Sequence, residues 1–155
     1  MASTVTASTM TVTISESITL NGKNQGGTQT LSIPSIATIS RRIIDVPASE
    51  VEILAMSTAV AAGTFIASDV LYIRMTNLDD TNHVTLTFKS DGNHEFAVKL
   101  DKGQSFIYNG DLSGGVAATM DASATALSLS LADLVNVTAT ADTAACDVEV
   151  FVACK

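Results

Sequence analysis

His83, His94, Cys146 and Cys154 are the side chains in this sequence best suited to metal or nucleophilic chemistry. A zinc site needs three or four such ligands converging, commonly at short spacings. Neither cysteine has a C-x-x-C partner and neither histidine an H-x-H partner. Both histidines stand beside turns and read as exposed turn residues. The acidic turns "NLDDTN" (Asn77 to Asn82) and "SDGN" (Ser90 to Asn93) hold Asp79, Asp80 and Asp91, whose clustered oxygens would suit calcium. Neither turn follows the EF-hand pattern, and Asp, Asn and Gly are what turns use in any case. No serine lies in a G-x-S-x-G elbow, and the glycine pairs in "NQGGTQT" and "LSGGV" lack the lysine of a phosphate loop. With no Trp and few aromatics to stack a sugar, a glycosidase carboxylate pair has little around it. The expectation is a protein that is not an enzyme, with no cofactor and no metal.

Composition narrows the classes further. The 155 residues suffice for one domain with a real core, and 46% hydrophobic against 15% charged residues describes a globular chain. Eight Lys and Arg against sixteen Asp and Glu leave a net charge of −8, and Arg41-Arg42 is the sole adjacent cationic pair. Counterion displacement from nucleic acid, or adhesion to anionic lipid, requires a basic footprint. Direct binding to nucleic acid or membrane is therefore not expected. Residues 1 to 20 show no basic start followed by an apolar block, and the uncharged stretch from Ile53 to Ser68 is too short to span a bilayer. The expectation is a soluble chain made in a cytoplasm. Cys146 and Cys154 fall in one strand-like run, about 26 Å apart at extended rise, beyond disulfide reach. They share a parity with Val148, Val150 and Val152 and read as buried free thiols, with an interchain disulfide at Cys154 as the sharper alternative.

The elements that would carry these residues are strands. Residues 1–9, "MASTVTAST", are small and uncharged: either a frayed terminus or an arm that orders by joining a neighbour's sheet. Met10, Val12, Ile14, Ile18 and Leu20 share a parity, with Glu16 the exception that marks exposure or a bulge. After the turn cluster Asn21 to Gly27, Leu31 and Ile33 end a strand at Pro34; Ile36 to Val46 and Ser49 to Met56 are two more, separated by Pro47. Residues 57–67 fit a loop or a short helix equally. Leu71, Ile73 and Met75 alternate with Tyr72, Arg74 and Thr76, and Val84, Leu86 and Phe88 with Thr85, Thr87 and Lys89. Asp91-Gly92 suits a tight hairpin with φ > 0 at both central residues. Phe96 to Leu100 and Ser105 to Tyr108 flank Asp101-Lys-Gly-Gln104 as a second hairpin, so three antiparallel connections make a meander. A long excursion covers 109–126, Leu127, Leu129 and Leu131 resume alternation, and Val135 to Thr140 and Cys146 to Val152 close the chain. This predicts an all-β protein, an antiparallel β-sandwich or jelly roll of about ten short strands over 10–155, behind a flexible 1–9 arm.

Within that frame, "YIRMTNLDDTNHVTLTF" (Tyr72 to Phe88) followed by "FAVKLDKGQSFIYNG" (Phe96 to Gly110) resembles a pattern of small structural proteins of tailed bacteriophages, especially marine ones. A strand and polar turn lead to the V-x-L-x-F strand Val84, Leu86, Phe88, then to the L-x-x-G-x-x-F hairpin Leu100, Gly103, Phe106. The resemblance covers about a quarter of the chain and transfers no functional residue. It implies a virion protein, with a jelly-roll capsid decoration (cement) protein fitting the size. The partner would be the major capsid protein or other virion proteins, and the chain a homo-oligomer, a trimer first. Such a protein would hold an assembled shell by apolar burial and by β-augmentation through the arm, with Thr4, Val5, Thr6 and Met10 as the contact residues. The alternatives are a tail, neck or fibre component, and a stand-alone carbohydrate- or receptor-binding β-sandwich.

Overall fold

The computed structural model describes residues 4–59, 61–109 and 132–155. Its strands in chain order are β1 (Ser8–Ser15), β2 (Thr19–Leu20), β3 (Lys23–Asn24), β4 (Thr28–Ile36), β5 (Thr38–Val46), β6 (Val51–Ser57), β7 (Phe65–Ile66), β8 (Val70–Asn77), β9 (Val84–Ser90), β10 (Glu95–Leu100), β11 (Ser105–Asn109), β12 (Leu134–Ala141) and β13 (Cys146–Cys154). Three of these are two-residue pairs, which leaves ten substantial strands. The one helical turn among the described residues is 3-10, Ala67–Asp69. The protein is all-β, a sandwich of antiparallel sheets.

One sheet runs β11-β8-β13-β5 and the facing one β10-β9-β12-β6, with β7 added in parallel beside β6. The pairs are nested: β9 with β10, β8 with β11, β6 with β12, and β5 with β13. A long antiparallel hairpin rolled around a barrel-like core produces this order, which is the jelly roll. The interior is built by the alternating apolar faces: Val148, Val150 and Val152 of β13 and Ile73 and Met75 of β8 oppose Leu86 and Phe88 of β9 and Val137 of β12. Phe88 is fully buried, stacked on Phe96 at 4.7 Å and tilted against Phe106 at 4.9 Å. Since Phe96 sits on β10 and Phe106 on β11, these rings join the two sheets at one end of the core.

The predicted meander is not what forms. Of its three connections only β9–β10 is a hairpin; β10 pairs with β9 and β11 with β8, so residues 101–104 cross from one sheet to the other. The segment from Leu78 to His83 makes the same crossing from β8 to β9. Asn77, wholly buried, joins the two crossings. Its Nδ2 donates to the Asn82 carbonyl (2.9 Å) and the Leu100 carbonyl (3.1 Å), while its Oδ1 accepts the Asp79 N–H (3.0 Å). Its backbone N–H donates to the Gln104 carbonyl and its own carbonyl accepts the Gly103 N–H, both at 3.0 Å. Gly103 has φ +71, so this turn too has the composition of a hairpin loop.

Other boundaries shift for identifiable reasons. Pro34 lies inside β4 instead of ending it. Among the described residues β4 has no partner on one side, and the extra residue opposite Ser8 and Met10 is a bulge in which Ser35 takes φ +65. The run from Ile36 breaks at Ala37, whose N–H donates to the Cys154 carbonyl. The β9–β10 turn is a three-residue loop closed by Ser90 N–H to the His94 carbonyl, and its left-handed residue is Asn93 at φ +58 rather than Asp91 or Gly92. In the stretch expected as a loop or short helix, the described residues 58, 59 and 61–64 are bends and a turn leading into β7, and Ala67 opens the 3-10 turn. The excursion at 109–126 and the leucines 127–131 lie, but for Asn109, outside the described residues.

Candidate interaction surface

The segment before β5 is not part of the sandwich. β1 and β4 form a separate two-stranded antiparallel ribbon, Met10 opposite Ile33 and Val12 opposite Leu31. β2 and β3 make a small hairpin at its far end, where Asn21 (φ +51) and Gly22 (φ +75) supply a two-residue turn. Gly26 is required where the ribbon narrows, because a Cβ there would lie within 2.0 Å of the Glu16 carbonyl oxygen. The sequence expectation of an arm ending at residue 9 thus meets a strand starting at Ser8 and a ribbon running to Ile36.

The ribbon lies on the outer face of the β11-β8-β13-β5 sheet. Ile33 and Ile36 are buried there with Tyr72 and Ala153, and Met10, Val12, Ile107 and Phe151 pack around them. This explains why alternation along β13 does not match burial: Phe151 and Ala153 point away from the core yet are covered. Tyr72 meets Phe151 edge-on at 6.0 Å. Burial pushes the Tyr72 hydroxyl pKa up, against a smaller lowering by the Arg74 charge. Beside these rings a groove of about 420 Å³ runs between β1 and the body, with Arg74 and Phe151 on its floor.

Glu149 is the buried acid on the outward face of β13, where Asp147 stays exposed, and two cations close over it. Arg41 of β5 holds Oε2 through Nε at 2.6 Å, and Arg74 of β8 holds Oε1 at 2.5 Å. Arg74 also donates to the Thr76 hydroxyl at 2.9 Å and lies 5.9 Å from the Phe151 ring centroid. The Arg41 hydrogen bond, followed by that of Arg74, holds the Glu149 carboxyl below the ordinary glutamate pKa, opposed by its removal from water. Sequence reasoning had noted Arg41 and Arg42 only as a pair. Alternation sends their side chains to opposite faces: Arg42 donates to the Ile53 carbonyl at 2.9 Å. The only signal in "DVEVFVA" is Glu149 placed between valines at the parity of Phe151 and Ala153, where a covered acid needs a cation.

Of the residues expected to bind a partner, Thr4, Val5 and Thr6 are exposed ahead of β1 and outside any strand, Val5 at 67%. Met10 is half-buried against the body, so its side chain is only partly open to a partner. The large apolar side chains left exposed concentrate nearby. Val5, Ile14, Ile18, Leu20 and Leu31 lie on the ribbon or ahead of it, and Ile39 (57%) and Ile43 (59%) flank Arg41 on β5; among the described residues only Leu78 and Val135 lie elsewhere. The opposite outer face, on β9 and β12, is a carpet of Thr85, Thr87, Thr138 and Thr140.

The residues weighed for chemistry serve the turns. Asp79 accepts the Asn82 and Thr81 N–H groups at 2.5 and 2.7 Å, and these hold its carboxyl below the usual range, Asn82 first. Asp91 accepts the Asp133 N–H at 3.2 Å. His83 lies 3.6 Å from Asp142, and both histidines are half-buried rather than exposed. Cys146 and Cys154 are free and buried within the core, where loss of hydration raises both thiol pKa values. Among the described residues no three His, Cys, Asp or Glu side chains are arranged to hold a metal ion, and no helix is long and apolar enough to cross a membrane. A scan against models of protein families finds no match, and a search of curated proteins finds no relative.

Proposed function

We propose that this chain is a non-enzymatic virion structural protein, a capsid decoration protein that binds and stabilises an assembled shell. The observation that carries the reading is the placement of exposed apolar surface. Seven of the nine large apolar side chains exposed among the described residues precede β6, on the ribbon, its leading segment and the outer face of β5. Exposed apolar side chains concentrated on a few elements of an otherwise polar surface point to association there. The resemblance of Tyr72–Phe88 and Phe96–Gly110 to small phage structural proteins selects the partner, the major capsid protein. Thr4, Val5 and Thr6 lead the chain onto the shell by strand addition, and Ile39 and Ile43 supply buried area beside them. A subunit that binds only the expanded lattice stabilises it by mass action, with no chemistry required. The net charge of −8 helps keep the free protein soluble until that surface is offered.

Co-sedimentation with expanded, genome-free shells of the same virus tests this. Stoichiometric binding that weakens on deletion of residues 1–9 and on Ile39→Ser with Ile43→Ser is expected. Assembly into rings or tubes without shell binding would instead identify a tail or neck part. Saturable, calcium-dependent glycan binding lost on Asp79→Ala, Asp80→Ala or Asp91→Ala would identify a lectin-like module.

A further inference from the structure

The strand edges of this molecule are not protected alike. β10 carries Glu95 and Lys99, β5 carries Arg41, Arg42 and Asp45, β4 carries Pro34 and its bulge, and β11 and β7 are short. Charge, proline, bulges and shortness are the established ways to keep a sheet edge from pairing with another chain. β1 has none of them: its eight residues, STMTVTIS, hold no charge, no proline and no glycine, and among the described residues it has a partner on one side only.

The hydrogen-bonding state of its open edge follows from the ladder. Glu16 N–H donates to the Gly27 carbonyl at 2.8 Å, continuing the register in which Ile14 faces Gln29 and Val12 faces Leu31. Antiparallel ladders alternate, so the even-numbered residues of β1 bond to β4 and the odd-numbered ones turn N–H and C=O outward. Thr9, Thr11, Thr13 and Ser15 therefore present an unsatisfied edge.

We infer that a second copy of this chain pairs with that edge, antiparallel about a two-fold axis at Val12, to give a four-stranded β4-β1-β1-β4 sheet. The strand is its own complement in this register. Val12 meets Val12, Met10 meets Ile14, Thr11 meets Thr13 and Thr9 meets Ser15 of the second copy. The Thr11–Thr13 and Thr9–Ser15 pairs are the hydrogen-bonded ones, which is the set the open edge offers. Every apolar side chain falls on one face, and no charge stands opposite another. The pairing also meets a need of the ribbon. A two-stranded hairpin is marginal by itself in water, and this one is held by packing on the body at Ile33 and Ile36, to which further strands would add support. Ile14, 46% exposed at present, gains Met10 of the second copy as its neighbour. This seam requires no shell, so it stands or falls separately from the role proposed above.

Sedimentation velocity across a dilution series, with cysteine cross-linking, tests it. The unmodified protein is expected to be a dimer at micromolar concentration. Val12→Cys is expected to form a covalent dimer on mild oxidation, because a non-hydrogen-bonded pair holds its Cα atoms about 4.5 Å apart, within disulfide range. Thr11→Cys, offset from its own copy by two residues, lies beyond about 7 Å and is expected to form none. Thr13→Pro removes an outward N–H and no bond to β4, so it is expected to give a folded monomer. A monomer at all concentrations with Val12→Cys cross-linking no faster than Thr11→Cys would overturn the inference. So would a trimer or ring whose mass is unchanged in Thr13→Pro. Should Thr13→Pro fail to fold, the two cysteine variants decide alone. Shell binding by a monomeric Thr13→Pro would show that the decoration role does not need the seam.

Discussion

Replacing Asn77 tests the account of the two crossings directly. The Asn77→Ala variant loses two donated bonds and one accepted bond from a wholly buried side chain. The Leu100 carbonyl is buried with its residue and is left without this donor, a loss of about 2 kcal/mol. The Asn82 carbonyl and Asp79 N–H lie nearer water and recover part of their bonding, so each adds only about 0.5–1 kcal/mol. The sum is about 3–4 kcal/mol, which for a chain of this size lowers Tm by about 10 °C. Asn77→Asp sharpens the test, since it is nearly isosteric but turns both donors into acceptors facing two carbonyl oxygens. At neutral pH it is expected to be less stable than Asn77→Ala. The deficit should narrow as pH falls towards the ordinary aspartate pKa and be smallest below it, because the protonated acid can donate to one carbonyl. With no Trp and two Tyr, far-UV circular dichroism in urea and heat is the suitable readout. A Tm drop under about 3 °C for Asn77→Ala would refute the role assigned to this side chain, as would an Asn77→Asp variant as stable as the parent.

Three further outcomes follow from the packing and the charges. Because Arg41 and Arg74 lower the Glu149 pKa, that carboxylate contributes stability above the unfolded glutamate pKa and loses it as pH falls through the lower folded value. Glu149→Gln should therefore be less stable than the parent at pH 7 and converge on it at strongly acid pH, which parallel urea titrations at several pH values would show. Phe88→Ala removes a ring in contact with Phe96 and Phe106 across both sheets and is expected to cost about 3–5 kcal/mol, while Phe88→Leu costs less; equal midpoints for Phe88→Ala and the parent would exclude the shared aromatic core. Ile39→Ser with Ile43→Ser, on exposed positions, should change Tm by less than about 2 °C while reducing binding of a hydrophobic dye.

Local rules account for much of this fold and little of its surface. Period-two alternation in Val84-Leu86-Phe88 and Val148-Val150-Val152 reflects side chains pointing alternately from a pleated backbone, so strand identity was readable residue by residue. Asn21-Gly22 was readable as a turn because few other residues accept its positive φ values. The cysteines were readable as buried thiols from parity alone. Strand partners were not readable. Asp101-Lys-Gly-Gln104 has hairpin grammar, yet the chain leaves one sheet there for the other, since β10 and β11 gain more by pairing with β9 and β8 than with each other. A turn's composition reports its own dihedral angles and carries no information on which distant strand is waiting. The same holds for the site: Arg41 and Arg74 reach Glu149 across separations of 108 and 75 residues only because β13 lies between β5 and β8. Short-range sterics and alternation were enough to make the strands. Long-range burial chose their order, and with it which polar groups meet, which apolar groups stay exposed, and which edge is left open.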